Sequence, residues 1–144
     1  TMALPPITLH TEGFPHEPGL DIAVSAVLHE WVGRGDAGYT ARLHATSRMV
    51  AFGRRDTHED RYAEAAALSR AEGYAPVERL AGGRAAVFHE GTIGVSLVSP
   101  EADATVGIHD RFETIAGALA TVLRAPSTVA PEIGHVVQHP LRSA

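Results

Sequence analysis

Apolar residues recur at helical spacing in three stretches of the chain. The first stretch is stopped by Gly33 and Gly35, the second is capped by Thr57 and stopped by Gly73, and the third ends near Pro126. The residues that share one face in each stretch are Leu20, Val24, Val27, Leu28 and Trp31; Tyr62, Ala65, Ala66 and Leu68; and Ile108, Phe112, Ile115, Ala116, Leu119 and Leu123. Because an amphipathic helix must bury its apolar stripe, we expect all three stripes to be core, with Trp31 anchoring the first helix.

Short strands are predicted around these helices. Alternating or apolar runs occupy residues 7–10, 39–45, 48–52, 76–80, 85–89, 92–98 and, less regularly, 133–137. The runs at 39–45 and 48–52 can pair as a hairpin. The order of helix, strand pair, helix, three strands and helix is neither regular βαβ alternation nor all-β, so it predicts a mixed sheet with helices packed on it.

Composition excludes several kinds of chemistry. The 144 residues are 44% hydrophobic and 20% charged, which is typical of one domain spanning residues 1–144. Cysteine is absent and all 12 basic residues are arginine. Without a thiol or a side-chain amine, this chain alone offers no cysteine nucleophile, thiolate metal site, Schiff base or Walker lysine.

Net charge and hydropathy exclude several classes of binding partner. A net charge of −5 argues against binding to duplex nucleic acid or to anionic lipid. No apolar run approaches the roughly 18 residues that span a bilayer, and the N-terminus lacks the features of a secretory signal. We therefore expect a cytoplasmic protein that binds neither nucleic acid nor membrane.

Two adjacent glycines mark the most unusual segment, residues 78–91. Gly82 and Gly83 lie between two strand-like runs, with Arg79 and Arg84 on either side. Paired glycines allow successive backbone N–H groups to converge on an anion, and the guanidinium groups would add charged donors. An ordinary hairpin turn with solvated arginines explains the same residues, and spacing alone leaves both interpretations open.

This segment resembles the signature of the lipoate-protein ligase and octanoyl-lipoyl transferase family. In that signature an arginine-bearing strand leads to a Gly-Gly turn, then to a small-apolar strand ending in histidine, and then to a strand with a serine. The likeness covers about residues 18–124. The matching parts are Arg79, Gly82 and Gly83, residues 85–89 ending in His89, residues 92–98 with Ser96, the strand and Gly-Arg turn at 48–56, and the opening helix at 20–23.

The resemblance implies an α/β fold of α+β type, with a mixed, mainly antiparallel sheet flanked by helices as in biotin and lipoate ligases. The implied reaction activates lipoate or octanoate with ATP and Mg²⁺ to an acyl-adenylate, then acylates a lysine of a lipoyl carrier domain. Transferases of the superfamily omit the adenylate. ATP and the acyl group are substrates, and no tightly bound cofactor is implied. The implied binding residues are Arg79, Gly82, Gly83, Arg84, His89 and, near the nucleotide, Arg54.

Two departures from the family pattern bear on activity. One more residue separates the glycine pair from His89 than in many ligases, as in the transferase-like branches. Enzymes of the family also use an essential lysine, and the transferases that work through a thioester use a cysteine. This chain has neither residue. Either these residues are part of a longer enzyme, or the protein is a diverged homologue that binds an acyl or nucleotide ligand without turnover. A structural role, in which the Gly-Gly turn is only a turn, is the third hypothesis.

Other candidate sites are weaker. Gly53 and Arg54 join a strand to a helix start, where free N–H groups favour an anion, although exposed arginines beside a capped helix explain the turn equally well. His135 and His139 are four residues apart, as two metal ligands on a helix would be. The prolines around them disfavour a helix and no third ligand follows at suitable spacing, so we predict no metal site.

Overall fold

The computed structural model of the protein describes residues 5–103 and 105–125. The chain divides into two compact units, residues 1–101 and 102–144, and each is described by itself. The single domain over 1–144 stays a prediction. The strand predicted at 133–137, His135 and His139 lie outside the described residues.

The described part of the chain contains three α-helices, six β-strands and a short 3-10 helix. The helices are α1 (Pro18–Arg34), α2 (Tyr62–Ala71) and α3 (Ile108–Arg124), and the 3-10 helix is Asp56–His58. The strands are β1 (Thr8–His10), β2 (Thr40–Ala45), β3 (Met49–Gly53), β4 (Ala75–Arg79), β5 (Ala86–Phe88) and β6 (Ile93–Val98). Every predicted element within the described residues is therefore present, with bounds that differ by a few residues.

The strands form two three-stranded sheets in the first unit. In the first sheet, β2 lies between β1, to which it is parallel, and β6, to which it is antiparallel. In the second, β3 lies between the parallel β4 and the antiparallel β5. The expectation of a mixed sheet with helices is confirmed, and each sheet combines one parallel and one antiparallel pair.

The predicted hairpin of β2 and β3 is wrong, because the two strands belong to different sheets. The link between them is held by Ser47, whose backbone N–H donates to Oδ2 of Asp21 and whose hydroxyl donates to the carbonyl of Phe14. These bonds anchor the link to α1 and to the segment before it. The chain therefore passes into the second sheet and does not fold back along β2.

The hairpin interpretation of Gly82 and Gly83 is also wrong, because β4 and β5 lie on opposite sides of β3 and do not pair. The segment between them crosses the end of β3, where Gly53 lies directly against the carbonyl of Gly83. A Cβ atom on Gly53 would overlap that oxygen. Gly83 has φ of +90°, a conformation that glycine adopts without strain.

The core of the first unit is smaller than the apolar stripes predict. Buried apolar side chains come from α1, α2 and β3: Leu28, Val32, Ala66, Met49, Ala51 and Phe52. The prediction that Trp31 anchors the core is wrong, since 48% of this residue is exposed. On α2, Leu68 is largely exposed and Ser69 takes the buried position beside Ala66. The buried face of α1 thus includes Leu28 and Val32 and does not include Trp31.

The helix termini differ in how well sequence signals predicted them. Gly35 ends α1 in the left-handed conformation, and the backbone N–H groups of Gly35 and Asp36 bond back to the last turn. The predicted cap at Thr57 is wrong. Thr57 lies in the 3-10 helix, where its hydroxyl donates to the carbonyl of Arg54, and α2 begins only at Tyr62.

The second unit contains α3, described here without reference to the first unit. The helix ends at Arg124, as predicted. None of its residues is buried, and the apolar stripe that we expected to be core is exposed except for Ile115, which is half-buried.

The close approach of Gly53 and Gly83 generates a stability prediction. Substituting Gly53→Ala should lower the free energy of unfolding by about 1–3 kcal/mol, because the new methyl group overlaps a backbone atom that cannot rotate away. The matched control is Gly33→Ala in α1, where nothing lies within 4 Å of the added Cβ. That substitution should stabilise the chain by about 0.5–1 kcal/mol. Denaturant unfolding of both variants measures the difference, and equal stabilities would contradict the contact.

Candidate functional site

A cavity of about 740 Å³ lies among α1, the two sheets and the segment that follows β4. This volume is within the range of small-molecule binding sites. One face of α1 contributes Ile22, Ser25, Ala26 and His29, spaced as neighbouring turns of a helix. The cavity is therefore built from the regular elements of the first unit.

Most of the cavity wall is apolar. Apolar side chains from α1 and three strands line it: Ile22, Ala26, Met49, Phe88, Ile93, Val95 and Val98. Leu80 and Ala81 add to this surface just after the end of β4. A wall of this kind stabilises an alkyl chain by removing it from water.

One side of the cavity carries a buried charged network that the sequence analysis missed. Asp21 of α1 and Arg42 of β2 are each only 1% exposed, and Nη2 of Arg42 donates to Oδ1 of Asp21 at 2.7 Å. Nη1 of Arg42 donates to the backbone carbonyl of Asp21 at 2.7 Å and to the hydroxyl of Ser25 at 3.2 Å. The pair fastens α1 to β2, and Asp21 and Ser25 also line the cavity.

Strand β2 buries its polar side. Thr40, Arg42 and His44 are buried, whereas Leu43, on the opposite face, is 45% exposed. The alternation of residues 39–45 was correctly interpreted as a strand, but it does not reveal which face is inside. An arginine and a histidine two residues apart in one strand, with an aspartate in the first turn of a preceding helix, are the signal that could have indicated a buried ion pair.

His44 connects this network to the cavity. Its Nε2 lies 3.3 Å from Oδ1 of Asp21, and its ring forms part of the cavity wall. Burial lowers the pKa of His44 from its ordinary value of 6.5, the charge of Arg42 lowers it further, and the carboxylate of Asp21 opposes both. The imidazole is therefore neutral at neutral pH.

Among the predicted site residues, the structure places Arg79 in the cavity wall. Its guanidinium Nη2 donates to the backbone carbonyl of Arg84 at 2.8 Å. Its Nε is buried and has no hydrogen-bond partner among the described residues. Arg79 thus places a positive charge at the cavity wall and is held there by its bond to the segment that follows β4.

The other predicted residues lie outside the cavity lining. Arg84 is 66% exposed at its side chain and forms ion pairs with Asp56 at 3.1 Å and Glu59 at 3.0 Å. Nδ1 of His89 accepts the backbone N–H of Gly91 at 3.0 Å. Arg54 is exposed.

Gly82 and Gly83 lie in the segment that crosses the end of β3, immediately after the cavity-lining residues 80–81. The geometry therefore brings Arg79 to the cavity but not Gly82, Gly83 or Arg84. Binding roles for Gly82, Gly83, Arg84, His89 and Arg54 stay predictions.

Comparison with known protein families shows which family this chain belongs to. The model of the lipoyl protein ligase A/B catalytic domain matches residues 17–133. The chain belongs to the lipoyl protein ligase A/B family. The match includes both sheets except β1, the cavity-lining helix α1, and α3. The expected kinship and fold are thus confirmed.

Two curated relatives of this family member are bacterial transferases. An octanoyl-[GcvH]:protein N-octanoyltransferase of Geobacillus kaustophilus (strain HTA426) is 32% identical over 101 residues, which cover 70% of this chain. The enzyme of the same name from Bacillus velezensis (strain DSM 23117 / BGSC 10A6 / LMG 26770 / FZB42) is 29% identical over 102 residues, or 71% of the chain. The matched segment covers 36% of each relative, so the chain spans little more than a third of their length.

None of the helices at residues 5–103 and 105–125 is both long enough and apolar enough to cross a membrane.

The buried pair predicts a large stability difference between two carboxylate variants. Asp21→Asn should lower the free energy of unfolding by about 3–5 kcal/mol, because Arg42 would then be buried without a counter-charge. Glu64→Gln removes a carboxylate that pairs with Arg61 on the surface and should leave stability almost unchanged. Denaturant unfolding compares the two, and equal effects would show that the buried pair does not hold the fold.

The lowered pKa of His44 predicts a dependence of stability on pH. Below pH 6.5 the unfolded chain binds a proton at this residue that the folded chain resists, so the free energy of unfolding should fall as the pH drops. In His44→Gln this contribution is absent. As the pH falls from neutral to below 6.5, the free energy of unfolding should therefore decrease more for wild type than for His44→Gln. A difference independent of pH would contradict a buried neutral imidazole.

Proposed function

We propose that the chain binds a medium-chain acyl group, octanoyl or lipoyl, in the cavity and takes part in its transfer to a lysine of a lipoyl carrier protein. The observation that carries the proposal is a largely apolar cavity of about 740 Å³ whose wall includes the cationic residue Arg79. Family membership and the names of the two transferase relatives supply the class of acyl group and of acceptor.

Arg79 is the residue that we assign to the acyl head group. A thioester or acyl carbonyl gains negative charge on oxygen when a nucleophile attacks it. The guanidinium of Arg79 carries a positive charge at the cavity wall, where charge-assisted hydrogen bonds to such an oxygen are strong. The alkyl chain would then extend along Met49, Phe88 and Val95, away from water.

Acyl transfer to a lysine breaks the bond from the acyl carbon to its leaving group and forms an amide bond to the lysine nitrogen, which loses a proton. Arg79 can stabilise the oxygen during this exchange, but arginine keeps its proton and cannot accept another. A catalytic lysine or cysteine, as the family resemblance implies, would have to come from outside these 144 residues, which contain neither.

The same composition favours a second candidate function. A homologue that retains the cavity and Arg79 but has no lysine or cysteine would hold an acyl ligand without transferring it. The two functions share the binding step and differ in turnover.

Adenylate formation with ATP and Mg²⁺ stays a prediction. Near the Gly82–Gly83 turn, Asp56 and Glu59 both accept hydrogen bonds from Arg84, and Asp56 also accepts the backbone N–H of Gly53. These engaged carboxylates do not fit an Mg²⁺ site.

A binding experiment tests the role of Arg79. Calorimetric titration with octanoate should give an affinity that falls roughly tenfold or more in Arg79→Met, because a charged hydrogen bond to the head group is lost. Arg61→Met removes an exposed arginine of the same unit and should bind octanoate as wild type does. Equal affinities of all three proteins would remove Arg79 from the site.

A transfer experiment separates the functions. Octanoyl transfer from an acylated carrier protein to a lipoyl domain without ATP supports the transferase proposal. Octanoate-dependent exchange of pyrophosphate into ATP would instead support the adenylate route. Binding with neither reaction would favour the silent homologue.

A further inference from the structure

Strand β6 borders the cavity on both of its faces. Gly94, Ser96 and Val98 pair with the buried residues of β2, on the face toward α1, whereas Ile93 and Val95 lie on the opposite face. All five residues line the cavity. A cavity that touches both faces of one strand reaches around its edge. Since β2 occupies one edge of β6, the cavity follows the other edge.

This free edge of β6 carries unpaired backbone groups. The N–H of Thr46 donates to the carbonyl of Thr92, so the hydrogen bonds to β2 come from the even-numbered residues of β6. The N–H and C=O groups of Ile93, Val95 and Leu97 therefore point to the free edge. Within the part of the chain that the structure describes, neither a strand nor a side chain bonds to them.

Strand β6 also lacks the features that keep a sheet edge from pairing. Native proteins protect edges with charged side chains, proline, bulges or very short strands. The six residues of β6 include no charge and no proline, whereas β1, at the other edge of the same sheet, has only three residues. Ile93 and Val95 are 68% and 42% exposed. An edge of this kind is suited to the addition of an extended peptide.

The proposed function supplies the occupant of this edge, and the inference rests on that function. Transfer brings a lysine of the carrier protein to the acyl group in the cavity. Because the stem of a lysine side chain has only four carbons, the polypeptide that bears it must lie at the cavity wall. A second copy of this chain would bring no amine, since the sequence contains no lysine. An extended carrier segment along β6 would lie at that wall.

The pleat of the strand determines which residue of the segment reaches the cavity. Residues directly opposite one another in a pair of strands project to the same face of the sheet. A lysine opposite Ser96 therefore projects toward α1, where Ser25 and His29 also line the cavity. The side chains of Ser96 and His29 bond to no other described residue. A hydroxyl and a neutral imidazole can each accept a hydrogen bond from the lysine amine.

We infer that β6 is the docking edge for the lysine-bearing segment of the carrier protein, which adds as an antiparallel strand with its lysine opposite Ser96. Antiparallel pairing is slightly more stable per residue than parallel pairing. In this register the residues on either side of the lysine bond through their backbone to Val95 and Leu97. The lysine side chain enters the cavity beside the acyl group.

Two leucine-to-proline variants test the docking edge. Leu97→Pro removes an N–H that points to the free edge, and Leu97 is not part of the cavity lining. Leu9→Pro is the matched control in β1, where the bond from Thr8 to Tyr39 directs the N–H of Leu9 away from β2. In calorimetric titration, an unacylated lipoyl carrier domain should bind Leu97→Pro roughly tenfold more weakly than wild type. It should bind Leu9→Pro as it binds wild type. Retained octanoate binding shows that both variants are folded.

NMR of the wild-type chain tests the same edge without a substitution. Saturation with the carrier domain should slow hydrogen exchange of the Val95 and Leu97 amides roughly tenfold, because these amides gain a partner. The amide of Ser96 bonds to β2 in both states and should change much less. The register predicts a nuclear Overhauser effect between the α-protons of Ser96 and the lysine, since such pairs bring Cα atoms within about 4.5 Å.

Equal binding of the carrier domain to wild type and Leu97→Pro, with no protection of the Val95 and Leu97 amides, would overturn the inference. Octanoate binding in the same samples would leave the proposed function intact. Protection of these amides by self-association, without the carrier domain, would assign the edge to a second copy and would also overturn the inference. Failure of octanoate to bind wild type would overturn the proposed function and this inference with it.

Discussion

The carboxylate of Asp21 is the contact on which the rest of the site depends. It accepts hydrogen bonds from the guanidinium of Arg42 and the backbone N–H of Ser47, and it faces Nε2 of His44. These bonds attach α1 to β2 and to the start of β3. Since α1 is one wall of the cavity and β6, the partner of β2, is another, the separation of the walls is set by one buried ion pair.

Two close backbone approaches complete the cavity. The contact of Gly53 with the carbonyl of Gly83 fixes the segment that crosses β3, and this segment begins at Arg79, Leu80 and Ala81, which line the cavity. Gly94 leaves the space beside β6 that the ring of His44 occupies. In both places glycine acts by the space that it leaves, because a Cβ atom there would overlap a neighbouring atom.

Sequence patterns predicted the elements better than their pairing. Helical and strand periodicity located the described α-helices and strands but not the 3-10 helix, because periodicity depends on local geometry and a single turn is too short to show it. Pairing depends on distant contacts, so the order β4–β3–β5 and the separation of β2 from β3 were not predictable from adjacent runs. Family motifs singled out Arg79, which the structure places in the cavity wall. Arg42 and His44 were missed because a polar residue in a strand is ordinarily assigned to the solvent face, and Asp21 of α1 was missed with them.

The most direct test of the account is whether an acyl chain enters the cavity beside Met49. The chain contains two methionines, and Met49 is a buried residue of the cavity wall, so a protein labelled with carbon-13 at methionine methyl groups reports on this position by NMR. We expect saturating octanoate to shift the Met49 methyl resonance and to give nuclear Overhauser effects between that methyl group and the methylene protons of the ligand. An unchanged Met49 resonance in the presence of bound octanoate would contradict the account.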